Sequence, residues 1–257
     1  MVKAAVLVKQ VPNTEEVRID DSTREPDTSR AERVISLYDK NAIEAAVQLK
    51  EDGEVEEIVA ITLGDDQAEE SLREVLAMGA DEAFHINEPE LLEGGKLRKC
   101  EALAGAVEEA GDVDLVFASE ESADSHTAST GPMVAELIDA PLLSYVFDVE
   151  LTDGSVEVER EIDEGIETLR APTPAVITVV ESINDPRLPS LTEILQAKNK
   201  PLTELSAEDL GVDTEPTVRI VENKAPEETR KKEIMEVDDP DEAAEWLVEN
   251  LQSEGVI

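Results

Sequence analysis

The sequence has few of the residues from which disulfides, metal sites and membrane segments are made. Its 257 residues include one cysteine, two histidines and 2% aromatic residues. The single thiol, Cys100, excludes an internal disulfide and a cysteine-cluster metal site. No apolar run approaches the roughly 18 residues of a membrane span, and no basic leader precedes an apolar stretch. We therefore expect a cytoplasmic protein without direct membrane insertion.

Positive charge is also scarce. The chain has 63 acidic and 22 basic residues, a formal net charge of −41, and the acids are spread along its whole length. Binding to nucleic acid or to an anionic membrane depends on Lys and Arg displacing counterions, so both are excluded as main partners. Self-repulsion of this size is tolerable where salt shortens screening to about 3 Å, as at molar ionic strength. We favour a salt-adapted cytoplasm over an ordinary acidic cytosolic protein.

Hydrophobic residues make up 40% of the chain, and most of them are aliphatic. The apolar spacing predicts strands and helices in turn: strands at 4–11, 57–64, 82–86 and 114–118, and helices at 38–51, 65–80 and around 100–111. This alternation predicts an α/β fold, a Rossmann-like parallel sheet with helices on both faces.

The pattern changes after residue 140. Alternating apolar residues surround turn signals at 152–154 and 164–165, which predicts an antiparallel hairpin excursion. A further buried strand is expected at 173–180. The chain then becomes polar after Gly211 and ends in a helical stripe. We predict an α/β domain over residues 1–211 and a C-terminal arm over residues 212–257 that packs on another chain.

The stretch "SEESADSHTASTG", residues 119–131, lies between a predicted strand and a predicted helix. A loop at the carboxyl end of a parallel strand, leading into a helix, offers backbone N–H groups and a positive dipole end to an anion. Its hydroxyl groups add donors, so the loop predicts a phosphate or nucleotide site. The alternative is a solvated surface loop, because it contains no Lys or Arg and Glu120 and Glu121 would repel a phosphate.

Signals of catalysis are weak. "GGK" at 94–96 lacks the earlier Gly and the following hydroxyl residue of a P-loop, and no GxGxxG follows a strand. His85 lies in a predicted strand and is interpreted as structural. His126 lies in the suspected ligand loop without a Cys or Ser partner, so a nucleophilic triad is not indicated.

Five segments, in order, resemble one family: "VKQVPNTEEVRID", "YDKNAIEAA", "VLAMGADEA", "DSHTASTGP" and "NDPRLPSLTEILQAK". The stretch "VEREIDEGIETLRAPTPAVIT", residues 158–178, matches the family signature throughout. On these segments the chain resembles the β subunit of electron transfer flavoprotein over nearly its whole length.

The resemblance implies a carrier subunit without turnover of its own, paired with an α subunit that holds most of the FAD site. Electrons would come from acyl-CoA or related dehydrogenases and pass to a quinone oxidoreductase or a ferredoxin-linked partner. The nucleotide of the β subunit would be AMP, or a second FAD in the bifurcating branch of the family. A free-standing nucleotide-binding enzyme and a binding-only scaffold remain as alternatives.

The same resemblance implies cofactor-binding residues at three strand ends: Leu7, Lys9, Ser36, Leu37, Tyr38, Asp39, Leu63, Ser119, Glu120, Ser122, Asp124, Ser125, His126, Thr127, Ser129 and Thr130. Glu120 stands where the family has a basic residue, which leaves AMP, a second FAD and an empty site open. Tyr38 would lie near the flavin or pack in the core. Leu191 would anchor partner dehydrogenases or merely cap a helix.

Overall fold

The computed structural model describes residues 2–92, 95–152, 154–227, 233–236 and 239–257. The chain separates into two compact units, residues 1–223 and residues 224–257. The predicted boundary after residue 211, and the packing of residues 212–257 on another chain, remain predictions.

The first unit contains the strands, in chain order β1 Lys3–Val8, β2 Gln10–Pro12, β3 Arg18–Ile19, β4 Pro26–Asp27, β5 Arg33–Ile35, β6 Glu57–Gly64, β7 Glu82–Asn87, β8 Leu115–Ser119, β9 Leu142–Thr152, β10 Ser155–Ile162, β11 Gly165–Pro172, β12 Ala175–Val179 and β13 Leu202–Leu205. Its helices are α1 Leu37–Glu51, α2 Ala68–Met78, α3 Pro89–Leu92, α4 Lys96–Glu109, α5 Thr130–Leu137 and α6 Leu191–Ala197. The second unit contains α7, Pro240–Ser253, which has Pro240 in its first turn after the N-cap residue, Asp239.

One nine-stranded sheet organises the first unit, in the order β11-β10-β9-β12-β8-β1-β6-β7-β13. All strands from β9 to β13 in this order are parallel, and only β10 runs against its neighbours β9 and β11. The α/β fold and the antiparallel hairpin excursion are therefore confirmed. The chain passes outward from β1 to β6 and β7 and returns to β8 on the other side of β1, so the strand order reverses between β1 and β8. Open sheets of this kind bind ligands outside the carboxyl ends of the strands at such a reversal.

Both faces of the sheet are covered, which is why its central strands are continuously apolar. Along β1, Ala4 and Val6 pack towards α1 and α2, whereas Ala5 and Leu7 pack towards α4 and α5. With so few aromatic residues, Val, Leu, Ile and Ala form most of both cores.

The predicted strand over residues 4–11 is in fact two strands in different sheets. Lys9 separates β1 from β2, and β2 pairs with β5 in a separate two-stranded ribbon. The reason is a tertiary contact, because the Lys9 backbone N–H donates to the Asp39 carboxylate at 2.7 Å. Periodicity could not have predicted this break, since the apolar run continues to Val11.

Two further differences concern the start of one helix and the presence of one short strand. The helix predicted from residue 65 begins at Ala68, and Asp65 instead receives the Arg33 guanidinium at 2.7 and 2.8 Å. The edge strand β13 was not predicted, because "LTEL" is too short to show a period. It pairs in parallel with β7, which contains the buried His85.

No helix in the described part of the chain has both the length and the apolarity required to cross a bilayer.

Gly131 sits where α5 passes closest to the sheet. A Cβ atom there would overlap the Thr178 Cγ2 methyl group of β12. We expect Gly131→Ala to lower the free energy of unfolding by about 1–3 kcal/mol, as overpacking in a core does. Urea unfolding in molar salt measures it.

Thr178→Ser provides the control, because it removes the methyl group but retains the hydroxyl that accepts from the Tyr145 N–H. In the Gly131→Ala background this second change should restore most of the lost stability. Full stability of Gly131→Ala alone would contradict the packing argument.

Candidate functional site

The ends of β1 and β8 are joined by one carboxylate at the point where the strand order reverses. The Lys9 backbone N–H donates to Asp39 Oδ2 at 2.7 Å, and the Ser119 hydroxyl donates to Asp39 Oδ1. Asp39 is supplied by the first turn of α1. Ser36, just before that helix, is also fixed, since its N–H donates to the Lys9 carbonyl at 2.9 Å. Three segments distant in sequence thus meet at one crevice.

Asp39 is buried beneath this crevice. Burial raises the pKa of Asp39 to about 7, although the Ser119 hydroxyl and the Lys9 N–H both favour the carboxylate. A buried charge of this kind requires its hydrogen bonds, because unpaired it would cost several kcal/mol. Asp39 therefore positions Lys9 and Ser119 and is itself closed off from solvent.

The first half of the 119–131 loop is held by Lys9. The Lys9 ammonium donates to both oxygens of Asp124 at 2.7 Å and to Ser122 Oγ at 3.3 Å. The pKa of Asp124 is lowered: burial opposes ionisation, but the hydrogen bonds from Lys9 and Ser122 outweigh it. The Ala123 N–H donates to Ser36 Oγ at 3.2 Å, and Ser122 and Ser125 share a hydroxyl contact of 2.9 Å.

The second half of the loop is held by Lys96, which sequence reasoning did not include in the site. This lysine begins α4, and its ammonium donates to Thr127 Oγ1 and, at 2.9 Å, to Ser129 Oγ. On either side of Thr127, His126 and Ala128 both have φ of 45°, a left-handed conformation that costs non-glycine residues energy. The "GGK" sequence is not a P-loop, but its lysine does reach the predicted ligand loop. The sequence signal that could have indicated this lysine is its position after two glycines and before a predicted helix.

An aromatic pair lies on the other side of the loop. The rings of Tyr38 and His126 meet edge to face, with centroids 6.1 Å apart. His126 Nδ1 lies 2.6 Å from Glu121 Oε1, and this contact raises the pKa of His126. Tyr38 is half-buried and lines a cavity of about 450 Å³ with Glu120, Glu121, Val179, Val180, Glu181 and Ser182.

Some predicted cofactor residues are not brought into this hydrogen-bonded group by their side chains. Leu7 is buried in the core, Leu63 is partly buried near the end of β6, and Leu37 is exposed at the start of α1. Thr130 is the first residue of α5. The cofactor roles of all these residues remain predictions.

The segment with Leu191 is held firmly by α1. Asn41 and Asn184 exchange side-chain to backbone hydrogen bonds at 2.9 and 3.0 Å. The Arg187 guanidinium contacts the buried Glu44 at 2.7 and 2.9 Å and the exposed Glu51 at 2.6 Å. The helix that carries Asp39 at one end thus fixes the 184–190 loop along its side.

Leu191 itself remains 73% exposed, and Leu188 remains 88% exposed. Ser190 is the N-cap of α6, in a reciprocal capping box with Glu193, so Leu191 does not cap this helix. Large apolar side chains held out from a fixed loop are typical of a contact surface.

No group of three or more His, Cys, Asp or Glu side chains is placed to hold a metal ion in the parts of the chain described above.

Residues 27–210 match the family described as "Electron transfer flavoprotein domain". The chain is 37% identical over 262 residues to electron transfer flavoprotein subunit beta of Thermoanaerobacterium thermosaccharolyticum, covering 98% of each protein. It is 33% identical over 256 residues to the subunit of that name in Bacillus subtilis, also covering 98% of each. It is 34% identical over 210 residues to "Caffeyl-CoA reductase-Etf complex subunit CarD" of Acetobacterium woodii, covering 82% of this chain and 80% of that protein.

Asp39 should make stability depend on pH in a definite direction. Its pKa in the folded chain, about 7, lies above the ordinary value of 3.8, so the folded state binds more protons between these values. Its contribution to the free energy of unfolding is therefore largest below about pH 4 and falls as the pH rises to 7. Asp39→Asn removes this dependence. We expect the unfolding free energy of the variant, minus that of the parent, to rise by roughly 3–4 kcal/mol over that range.

Urea unfolding at each pH measures the difference, with Asp52→Asn at the exposed end of the same helix as the control. A difference that stays constant from pH 4 to pH 7 would show that Asp39 does not titrate in this way.

Proposed function

This chain belongs to the electron transfer flavoprotein family as a β-type subunit, and we propose that it is the electron-carrier subunit of a heterodimer with an α subunit. It accepts electrons from dehydrogenases such as acyl-CoA dehydrogenases and passes them towards a quinone oxidoreductase. It has no independent turnover. The α subunit holds most of the FAD, and this chain helps to shape that site. The match over almost the full length of a β subunit supports this proposal.

The crevice between β1 and β8 holds a structural nucleotide, AMP, in this proposal. One observation carries it: Lys9 and Lys96, from two distant segments, converge on a hydroxyl-rich loop that contains no Lys or Arg of its own. Phosphate oxygens accept from ammonium, hydroxyl and backbone N–H donors, and all three kinds are present here. A solvated surface loop would not require two lysines to be ordered in this manner.

A second candidate is a bifurcating carrier, in which another FAD replaces AMP in the same crevice. The similarity to a subunit of a caffeyl-CoA reductase-Etf complex supports this second candidate. The cavity beside Tyr38, at about 450 Å³, adjoins the loop and provides space next to an aromatic ring.

The remaining features have roles consistent with the carrier. Leu191 anchors the partner dehydrogenases. The C-terminal arm docks on the α subunit, and α7 has Leu247 and Val248 about half-exposed for such a contact. The net charge suits a cytoplasm rich in salt.

Co-purification with the α subunit in molar salt tests the carrier proposal. The expected complex is yellow, is reduced by an acyl-CoA dehydrogenase and, when denatured, releases one FAD and one AMP per heterodimer. Two FAD would support the bifurcating candidate. A colourless complex, or a yellow one that no dehydrogenase reduces, would contradict the carrier role.

Leu191 provides a test of the partner contact. An exposed leucine that inserts into an apolar pocket contributes about 2 kcal/mol, so Leu191→Ala should lower kcat/KM for reduction by a dehydrogenase roughly 30-fold. The FAD content should not change, because the Leu191 side chain is exposed and does not line the cavity beside Tyr38.

Leu97→Ala serves as the matched control, since Leu97 is a partly exposed leucine on α4. Unchanged rates in Leu191→Ala with several dehydrogenases would remove the anchor assignment while leaving the carrier role intact.

A further inference from the structure

We propose that Lys96 is the cation that binds the phosphate group of the nucleotide in the β1–β8 crevice, and that it therefore determines specificity for a phosphorylated ligand. The inference rests on the proposed nucleotide site and goes beyond it, because it assigns the recognition to a residue outside the 119–131 loop.

The first argument is that Lys96 lacks the carboxylate partner that many bases of this protein have. Acids outnumber bases by 63 to 22, and many Lys and Arg side chains form ion pairs, among them Lys3, Lys9, Arg33, Lys40, Lys50, Arg73, Arg98, Arg160 and Arg187. Within the described ranges, no ion pair joins Lys96 to a carboxylate, and its ammonium contacts two neutral hydroxyl groups. An ammonium that no carboxylate of the described residues contacts directly can bind an external anion.

The second argument is that the position of Lys96 is unfavourable for the fold by itself. As the first residue of a 14-residue helix it lies at the positive end of the helix dipole, where a base is disfavoured. Burial also lowers the pKa of Lys96. The first turns of α1, α2, α6 and α7 contain acids instead. A bound anion would offset both costs.

The third argument is geometric. Lys96 contacts the hydroxyl groups of Thr127 and Ser129. Ser129 Oγ donates to Thr127 Oγ1 at 3.3 Å, so the Thr127 hydroxyl is the one whose proton can be donated to a phosphate oxygen. One residue after Ser129, α5 begins and presents its first N–H groups. Lys9 lies on the other half of the loop but is already neutralised by Asp124. Of the two lysines that reach this loop, Lys96 is therefore the one that no carboxylate of the described residues contacts.

Glu120 is consistent with this assignment. It occupies the position where the family has a base, but it lines the cavity beside Tyr38 together with Glu121 and Val179. Burial, with the neighbouring Glu121, raises the pKa of Glu120. The charge missing from the loop sequence is thus provided by α4.

The test compares AMP with adenosine, which lacks only the phosphate group. The heterodimer is purified with its FAD, stripped of the crevice nucleotide and titrated calorimetrically in molar KCl. Loss of a charge-assisted hydrogen bond should weaken AMP binding to Lys96→Gln about 10- to 100-fold. Adenosine binding should change less than about 3-fold, and Lys96→Arg should recover most of the AMP affinity.

Lys99→Gln is the matched control, because Lys99 lies on the same helix and donates to the Leu92 carbonyl. AMP affinity that Lys96→Gln leaves unchanged would overturn the proposal. So would an equal loss for AMP and adenosine, which would mean that Lys96 only shapes the loop, or a parent complex that binds neither ligand. FAD content and reduction by a dehydrogenase, read on the same samples, report on the carrier role separately.

Discussion

A single buried carboxylate organises the crevice in which this protein's candidate site lies. Asp39 accepts from the end of β1 and from the end of β8, the two strands between which the chain reverses direction across the sheet. This bridge diverts Lys9 out of the sheet, and the Lys9 side chain then reaches the 119–131 loop. Because burying an ionisable group is costly unless its hydrogen bonds are made, the geometry at these strand ends is tightly constrained.

The scarcity of basic residues is the second constraint. Only 22 of the 257 residues are Lys or Arg, so few side chains are able to hold a loop in place through a charged contact. Arg187 holds the 184–190 loop to α1 through ion pairs with Glu44 and Glu51. Leu188 and Leu191 remain exposed beside these contacts. Lys9 and Lys96 are placed on the two halves of one loop. These three bases therefore hold the 119–131 loop and the 184–190 loop, the two regions for which binding roles are proposed.

Much of the fold could be predicted because it follows from local patterns. Parallel strands buried on both faces are continuous apolar runs, and turn residues separate the alternating strands of the hairpin region. Such patterns failed where a distant residue decided the outcome. The run 4–11 breaks at Lys9 because of Asp39, thirty residues later. The four-residue strand β13 forms because it pairs in parallel with β7, which would otherwise be the edge strand of the sheet.

The sequence by itself determined the α/β class, the family and the loop at the end of β8, since each depends on residues close together in the chain. Only the tertiary structure decided which charges meet that loop. Lys96 follows a glycine pair that matches no motif, and its role depends on α4 packing beside α5. Contacts between segments far apart in sequence are set by how helices cover a sheet, and no local pattern encodes them.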